Sequence, residues 1–250
     1  MPEPLRFACA VPVGSWHAFL PAALESLASQ EVPLEIALLD ASGDPRVKEA
    51  AERSGIHFAY TRHGPDRGQS DAIAEGWENL GGDILFWLNA DDRLAPGALA
   101  QVRDIFASSG APDIVFGGSD FINEHGDVMG HHDQVDDVTA LLLRSNTISQ
   151  PSCFARRDWI ERVGGVNRDI HYVMDWDLWT RLYQAGAKFQ RVDQTLSAVY
   201  MGEDTKTGLI ARKRLSEVYA LVRRNTGHWS ATKSTVSLLL ETLRRRWFVQ

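Results

Sequence analysis

The 250-residue sequence has little of what marks several protein classes. Its two cysteines, Cys9 and Cys153, lie in apolar segments without a CxxC or Cys/His pattern, so we expect buried thiols and no disulfide framework. The longest apolar stretches, such as residues 84–88, fall far short of the roughly 20 residues of a membrane-spanning helix. The first residues have neither the basic nor the apolar part of a secretory signal, and we therefore expect a cytoplasmic location.

The motifs of several common enzyme classes are also missing. Neither GxGxxG after the first strand nor GxxxxGK[ST] occurs, so hydride transfer and P-loop phosphoryl transfer lose their main sequence support. A nucleophile elbow and HExxH are absent too. Any chemistry has to be sought in polar residues that follow apolar strands.

Charge is unevenly distributed along a chain of ordinary globular composition, 44% apolar and 24% charged. Residues 1–204 hold 16 Lys and Arg against 31 Asp and Glu, a net charge of −15, whereas residues 205–250 hold 10 against 2, a net charge of +8. We therefore predict one compact domain over residues 1–204, with halves 1–120 and 121–204, followed by a basic helical tail over 205–250.

Hydrophobic periodicity predicts an α/β fold. Short apolar runs recur about every 25 residues, separated by helix-length segments, as in the β-α-β units of a parallel sheet. The runs are residues 7–11, 36–39, 57–60, 84–88 and 114–116. Beyond residue 120 the alternation loosens, with helix signals near 138–144, at 158–163 and at 175–185, and a strand signal at 196–200.

Two adjacent carboxylates, Asp91 and Asp92, follow the apolar run at residues 84–88. Ligands of parallel sheets bind beyond the carboxyl ends of the strands, where these acids fall. Because adjacent anions repel unless a cation neutralises them, the pair suits Mg²⁺ or Mn²⁺ bridging to a diphosphate. The alternative is that Asp92 or its neighbour caps a helix starting near Pro96.

Other polar clusters allow two interpretations each. Asp40 closes a strand, where it can accept hydrogen bonds from a base or ribose or form an Asx turn before Gly43. Asp175 and Asp177 lie at a predicted helix start. They are candidates for chemistry, but acidic residues at this position also stabilise the helix by capping it.

The segment at residues 66–71 and the histidine pair are similarly ambiguous. Arg67 is placed to reach a phosphate, whereas Asp66 is equally suited to capping the following helix. His131 and His132 with Asp133 could indicate a metal, but an adjacent pair lacks chelating spacing and favours a solvated loop.

Taken together, the clusters resemble the family 2 glycosyltransferases of the GT-A fold over nearly all of residues 5–204. Four blocks carry the resemblance in order: Ala10-Val11-Pro12, Leu39-Asp40-Ala41-Ser42, DRGQSDAIAEG at residues 66–76, and Leu88-Asn89-Ala90-Asp91-Asp92. Three further segments resemble the family's acceptor-side half: QPSCF at 150–154, VGG at 163–165 and MDWDLWTRL at 174–182.

The resemblance implies a nucleotide-sugar-dependent, inverting transferase with a mixed, mostly parallel GT-A sheet, helices around it and a C-terminal helical extension. It assigns Asp175 as catalytic base and Asp92 as ligand of Mn²⁺ or Mg²⁺, with Asp91 contacting ribose or diphosphate and available as a second ligand. The remaining positions that it implies for the nucleotide sugar are Pro12, Asp40, Arg67, Asp71, Gly164, Gly165 and Trp176. UDP is the expected carrier and no nucleic-acid partner is expected.

The sequence also departs from the family pattern. Met174 replaces the usual acid before the base, and Gly202 stands where a late loop commonly offers a histidine near the diphosphate. Closure of this loop over the phosphates of the donor would then depend on Lys206 instead, or it would be weaker.

Alternatives remain for the chain as a whole and for its tail. A catalytically silent GT-A scaffold is one, and a sugar-phosphate nucleotidyltransferase is another, although residues 13–16 lack the basic glycine-rich loop of that class. The expected acceptor is a saccharide or a lipid-linked saccharide. An apolar face with Val236, Leu239, Leu240, Leu243 and Trp247 beside Arg244–Arg246 predicts peripheral contact with the inner face of the cell membrane, or else packing on the domain or a homodimer.

Overall fold

The computed structural model describes residues 5–132, 140–202 and 212–248, with side chains up to residue 240 in the last range. The strands are β1 (Phe7–Val13), β2 (Leu34–Asp40), β3 (Tyr60–His63), β4 (Ile84–Trp87), β5 (Arg93–Leu94), β6 (Ile114–Ile122), β7 (Val128–His131), β8 (Cys153–Arg156) and β9 (Phe189–Tyr200). The helices are α1 (Leu20–Ala28), α2 (Pro45–Arg53), α3 (Gln69–Glu78), α4 (Ala98–Phe106), α5 (Arg157–Arg162), α6 (Met174–Gln184), α7 (Arg212–Thr226) and α8 (His228–Phe248). Within the described ranges, none of these helices is long and apolar enough to cross a membrane.

One mixed sheet organises the fold. Its strand order is β3-β2-β1-β4-β8-β6-β9-β5, with β7 paired to β6 outside this path. Strands β1 to β4 run parallel to one another, whereas β8 is antiparallel to both β4 and β6. The predicted α/β architecture with a mostly parallel first half is confirmed.

Two cores form because alternate residues of β1 point to opposite faces of the sheet. Ala8 and Ala10 pack in the cluster that includes α3, whereas Cys9 and Val11 pack in the cluster that includes α1 and α4. The small side chains let α3 approach closely. A Cβ added at Gly76 would lie 2.9 Å from the Cβ of Ala10, so a larger residue at position 76 would push the helix off the sheet.

The predicted third strand is displaced in the structure. Hydrophobicity placed it at residues 57–60, but β3 covers Tyr60–His63 and its register pairs Tyr60 with Ala37. This edge strand is held by polar contacts that a search for apolar runs does not detect, because Tyr60 and Arg62 both donate to the Glu75 carboxylate of α3. In the segment predicted as a helix near 138–144, residues 140–143 form a single 3₁₀ turn and residues 138–139 lie outside the described ranges.

The first tail helix, α7, packs on the domain. Val218, Leu221 and Val222 are buried in the same core as α6. The carboxylate of Glu217 accepts hydrogen bonds from the backbone N–H groups of His171 and Tyr172, immediately before α6. Helix α7 thus lies beyond the predicted domain boundary near residue 204, yet it packs into the core of that domain.

The second tail helix, α8, touches the domain through one side. Ala231 is fully buried, and the hydroxyl of Ser234 donates to the carbonyl oxygen of Arg144 at 2.9 Å. Trp229, Val236 and Leu240 remain exposed by 85%, 48% and 52%. Part of the tail's apolar surface therefore has no cover within the described chain.

Candidate active site

The carboxyl ends of β1 to β4 meet at one edge of the sheet. The register aligns Val13 with Asp40 and Asp40 with His63, and it aligns Ala10 with Trp87 at the end of β4. Because β8 runs antiparallel to β4, it begins with Cys153 at this same edge. The residues that follow β1, β2 and β4 and those that precede β8 therefore surround one region.

Asp40 is buried at this edge and makes local contacts. Its Oδ1 accepts the backbone N–H and the hydroxyl of Ser42 at 2.9 and 2.6 Å, and its Oδ2 lies 3.0 Å from Nδ1 of His63. Burial raises the pKa of this carboxyl, but the hydrogen bonds from Ser42 and His63 outweigh it and hold the pKa below its ordinary value. The Asx turn considered from the sequence is present, and the carboxylate is held in its charged form. In the strand register Asp40 pairs with Val13, the residue after the buried Pro12 of β1.

Asp92 is a buried carboxylate whose two hydrogen bonds within the described residues come from neutral donors. It is 3% exposed, its Oδ2 accepts from the side-chain amide of Asn89 at 2.8 Å, and its Oδ1 accepts weakly from the backbone N–H of Tyr200 at 3.4 Å. Burial and the neighbouring charge of Asp91 raise its pKa well above the ordinary value. The capping alternative is wrong, because α4 begins at Ala98 after the N-cap residue Gly97.

The segment of residues 144–152, which we call the linking loop, contacts both acidic positions. Near its end, Gln150 accepts from the Asn89 amide at 3.1 Å and donates to the carbonyl of Trp87 at 2.8 Å. Near its start, the amide of Asn146 donates to Oδ2 of Asp175 at 3.0 Å. The loop thereby ties the Asp92 cluster to the start of α6.

Four buried serine hydroxyls fix the end of the linking loop. Ser119 of β6 lies 2.6 Å from Ser149 and 2.8 Å from Ser152, and Ser197 of β9 lies 2.7 Å from Ser152. Ser152 also donates to the carbonyl of Gly118 at 2.6 Å. Because buried hydroxyls are costly without partners, this cluster favours one position of the loop relative to the sheet.

Asp175 lies in the first turn of α6. Burial raises the pKa of its carboxyl, while the backbone N–H of Trp176 and the amide of Asn146 partly oppose this. Burial likewise raises the pKa of the Cys153 thiol, and the charge of Asp175 adds to it, which places Asp175 close to the start of β8. A carboxylate with a raised pKa at this edge is suited to accept a proton.

A cavity of about 550 Å³ opens over Asp175. Its lining residues come from the linking loop, the 3₁₀ turn before it, the start of α6 and both tail helices. They are Leu141, Arg144, Ser145, Asn146, Tyr172, Val173, Asp175, Trp176, Arg214, Val218, Lys233, Ser234, Ser237 and Leu238. The tail therefore forms one wall of the cavity that contains the predicted base.

The remaining predicted residues are more dispersed. Arg67 is exposed and pairs with Asp71 at 2.8 Å, and Arg168 pairs with the same carboxylate at 2.7 Å. Hydrogen bonds from Arg67 in particular lower the pKa of Asp71 far below its ordinary value. Roles of Arg67 and Asp71 toward a nucleotide sugar stay predictions.

Gly164 and Gly165 follow α5 and lie outside the lining of the cavity. Both have positive φ angles, +80° and +71°, and Arg181 of α6 donates to the carbonyl of Gly165. Trp176 lines the cavity, but its indole is 5% exposed and donates to the carbonyl of Leu142. Their proposed contacts with a sugar also stay predictions.

The histidine pair gives no metal centre within the described residues. Nδ1 of His131 lies 2.7 Å from Oδ1 of Asp120 in an exposed contact, and Asp133 lies outside the described ranges. No group of three or more His, Cys, Asp or Glu side chains able to hold a metal ion occurs in the described part of the chain.

Sequence reasoning missed several residues that position the site. Asn146, which contacts Asp175, stands in a loop without periodicity, and nothing in its local sequence marks it. Glu217 and Arg224 lie in the tail, where only the excess of basic residues drew attention. Glu217 is the only acidic residue of the basic helix α7, and this contrast is the one sequence signal that indicates a specific partner.

Comparison with solved structures confirms the GT-A fold. The structure of S. aureus TarS 1-349 in complex with UDP-GlcNAc aligns with a TM-score of 0.67 and 13% identity, over 94% of this chain and 72% of that one. The mannosyltransferase PcManGT from Pyrobaculum calidifontis, in complex with GDP-Man and Mn²⁺, aligns with a TM-score of 0.64 and 14% identity, over 97% and 76% of the two chains.

Sequence comparison assigns the family. The chain is 28% identical over 239 residues to the O-antigen biosynthesis protein RfbC of Myxococcus xanthus. That alignment covers 92% of this chain but only 17% of the longer relative. The model of the family described as glycosyl transferase family 2 matches residues 14–167, more than half of the chain, and this range contains the ends of β2, β3 and β4, the Asp91–Asp92 pair and the linking loop. With its fold and its carboxylate-lined sheet edge, the chain belongs to glycosyl transferase family 2.

Proposed function

We propose that the chain transfers a sugar from a nucleotide diphosphate sugar, with UDP as carrier, to an acceptor hydroxyl in polysaccharide or glycolipid biosynthesis. The observation that carries the proposal is the linking loop, because Asn146 contacts Asp175 and Gln150 contacts the Asn89–Asp92 cluster at one sheet edge. Family membership and the name of the O-antigen biosynthesis relative support the same class of reaction.

Asp175 acts as the general base in this proposal. Its carboxylate takes the proton of the acceptor hydroxyl as that oxygen forms a bond to the anomeric carbon. The bond from the anomeric carbon to the diphosphate breaks at the same time, and the nucleoside diphosphate leaves with the electron pair. One displacement from the opposite face inverts the stereocentre. The raised pKa of the buried Asp175 favours proton acceptance.

Asp92, with Asp91, is proposed to hold Mn²⁺ or Mg²⁺. The residues fit a divalent cation, because Asp92 is buried, its hydrogen bonds come from neutral groups and a second carboxylate stands next to it. Asp91 and Asp92 would supply the carboxylate oxygens that a hard divalent cation prefers. When bound, the ion supplies Lewis-acid neutralisation of the departing diphosphate. The Mn²⁺ in the PcManGT complex supports this choice of ion.

The donor is proposed to lie across the ends of β1, β2 and β4. Asp40, held in its charged form, is suited to accept hydrogen bonds from the base, with Pro12 beside it. Asp91 would contact ribose or diphosphate, and Arg67 is exposed enough to turn from Asp71 toward a phosphate. Gly164, Gly165 and Trp176 are proposed for the sugar side.

Product analysis tests the reaction class. We expect the purified chain, given Mn²⁺ and UDP-, GDP- or dTDP-sugars, to release a nucleoside diphosphate. Release of pyrophosphate from a sugar phosphate and a nucleoside triphosphate would instead indicate the nucleotidyltransferase alternative. Binding of a nucleotide sugar without turnover, by a chain whose fold is intact, would indicate the scaffold alternative.

Peripheral attachment to the cytoplasmic face of the membrane is the proposed location. The exposed residues Trp229, Val236 and Leu240 recur at helical spacing along α8, in a tail of net charge +8. Apolar residues on one face of a basic helix suit an anionic lipid surface. A homodimer through α8 is the outcome that would replace this proposal.

A further inference from the structure

The cavity over Asp175 carries three cations and a single carboxylate among its described lining residues. The cations are Arg144 of the linking loop, Arg214 of α7 and Lys233 of α8, and the carboxylate is Asp175 itself. Arg214 acts on Asp175 directly, since its charge opposes the rise of that pKa. The cavity is therefore positive, although residues 1–204 carry a net charge of −15.

Two of these cations have no carboxylate partner among the described residues. Arg144 and Lys233 are exposed at the cavity wall and take part in no ion pair there, whereas the guanidinium groups of Arg62 and Arg181 are bound to carboxylates. Ser234 Oγ donates to the Arg144 carbonyl at 2.9 Å, so the loop and α8 that carry Arg144 and Lys233 are fastened together. An arrangement of unpaired cations on two connected elements favours an anion between them.

The neutral lining is compatible with a ligand that is polar at one end. The hydroxyls of Ser145, Ser234 and Ser237 line the same wall as the cations, while Leu141 and Leu238 provide apolar surface. A phosphate group beside a hydroxyl matches this set, because Arg and Lys bind phosphate oxygens and serine hydroxyls donate to them.

We propose that the acceptor is anionic: a phosphate of the acceptor binds Arg144, Lys233 and Arg214, and this contact presents the acceptor's hydroxyl to Asp175. The inference rests on the proposed function and adds the substrate class of the same site. A neutral saccharide would leave these cations unused, and a phosphate-bearing acceptor would otherwise be repelled by the acidic domain. The tail thereby selects the acceptor.

Direct binding to the full chain tests the proposal without requiring turnover. The probes are glycerol 3-phosphate and glycerol, which differ by one phosphate, titrated by calorimetry at low and moderate salt. We expect glycerol 3-phosphate to bind and glycerol not to bind. The double variant Arg144→Gln/Lys233→Gln should weaken binding by about tenfold or more, the loss expected for charged contacts. Equal binding of both probes, or unchanged binding by the double variant, overturns the proposal.

A matched control removes two charges from α7, at positions outside the cavity lining. Arg223→Gln with Lys213→Gln deletes two exposed cations of α7 that do not line the cavity, and binding should change by less than about twofold if the effect is local. If the control loses as much affinity for glycerol 3-phosphate as the double variant does, the binding comes from general electrostatic attraction and not from the cavity. That result would overturn the proposal.

Two further probes identify the source of the phosphate. Farnesyl diphosphate represents a lipid-linked acceptor, and a short glycerol phosphate oligomer represents a polyol phosphate chain. The source is identified by the probe that binds more tightly and whose affinity falls in the Arg144→Gln/Lys233→Gln variant. If both probes bind and neither loses affinity in that variant, the proposal is overturned. UDP binding is measured in parallel. Intact UDP binding with no phosphate-dependent cavity binding refutes the acceptor inference alone, whereas the reverse refutes the proposed function alone.

Discussion

Arg224 of α7 places Nη1 2.7 Å from Oδ1 of Asp177, a fully buried carboxylate two residues beyond the candidate base. The other oxygen of Asp177 pairs with Arg181 one turn along α6, at 2.8 Å. A buried carboxylate is thus stabilised from its own helix and from the tail. The tail is therefore part of what keeps the start of α6 in place.

Arg224→Met should lower the free energy of unfolding by about 1–3 kcal/mol, because a buried carboxylate loses one of its two cations. The loss stays below that of a fully buried pair because Arg224 is 46% exposed. Urea denaturation of the full chain measures it. Arg223→Met, which removes the adjacent exposed cation, is the matched control, and equal effects of the two variants would contradict the assigned role.

Asp175→Asn should lower kcat by about 10² to 10⁴-fold while donor binding survives, since the amide keeps the shape and cannot take the proton. Steady-state kinetics and a separate UDP titration check the two parts. If kcat falls by less than about tenfold while chemistry limits the rate, Asp175 is not the base and serves only to stabilise the start of α6.

The acid side of the pH profile should move when Asn146 is replaced. Asp175 must be ionised to act, so activity rises with pH through a pKa that burial places above the ordinary value. The Asn146 amide stabilises the charged form, and Asn146→Ala therefore shifts this limb to higher pH. Profiles of log kcat against pH measure the shift. Asn79→Ala, which removes an exposed amide outside the cavity lining, serves as control, and an unmoved limb in Asn146→Ala would argue against Asp175 as the titrating base.

Asp92→Ala should abolish turnover and metal-dependent nucleotide binding without unfolding the domain. The buried carboxylate has a raised pKa, so its removal relieves an unfavourable charge. Nucleotide titrations with Mn²⁺ and with EDTA, beside a thermal unfolding curve, separate function from stability. Full activity of the variant in EDTA would disprove the metal-assisted mechanism.

Membrane attachment should depend on the exposed face of α8. Trp229→Ser with Leu240→Ser should reduce co-sedimentation with anionic vesicles several-fold and leave the fold intact, because both side chains are exposed. Met129→Ser, the control, removes an exposed apolar side chain from β7 and should have little effect. Equal pelleting of all the proteins would argue against membrane attachment through α8. A concentration-dependent dimer that the double variant dissociates would instead indicate that α8 forms a homodimer.

The parallel half of the sheet was predictable because its strands are covered on both faces. In β1 and β4 every residue is buried, so the apolar run itself marks the strand. β3 lies at the edge and uses Tyr60 and Arg62 against Glu75, which is why its predicted position slipped by three residues. A strand covered on both faces is therefore marked by an apolar run, whereas an edge strand held by polar side chains is not.

The site was predictable only where residues follow strands. Asp40 and Asp92 stand at strand ends that hydrophobicity locates, and Asp175 stands at a helix start. Asn146, Gln150 and Lys233 reach the site from segments distant in sequence, through contacts that no local pattern encodes. The cavity wall made by α7 and α8 depends on tertiary packing alone.

The two buried thiols give the protein an internal reporter of its own opening. Cys9 lies at the centre of β1 with 0% exposure and Cys153 at the start of β8 with 1%, and burial raises the pKa of both. A thiol reagent can label either one only after the surrounding structure opens. Labelling of Cys153 ahead of Cys9 would measure local loosening beneath Asp175, whereas equal rates would report global unfolding of the sheet. Ligands that close the site would then be detectable as slower modification of Cys153, without any assay of sugar transfer.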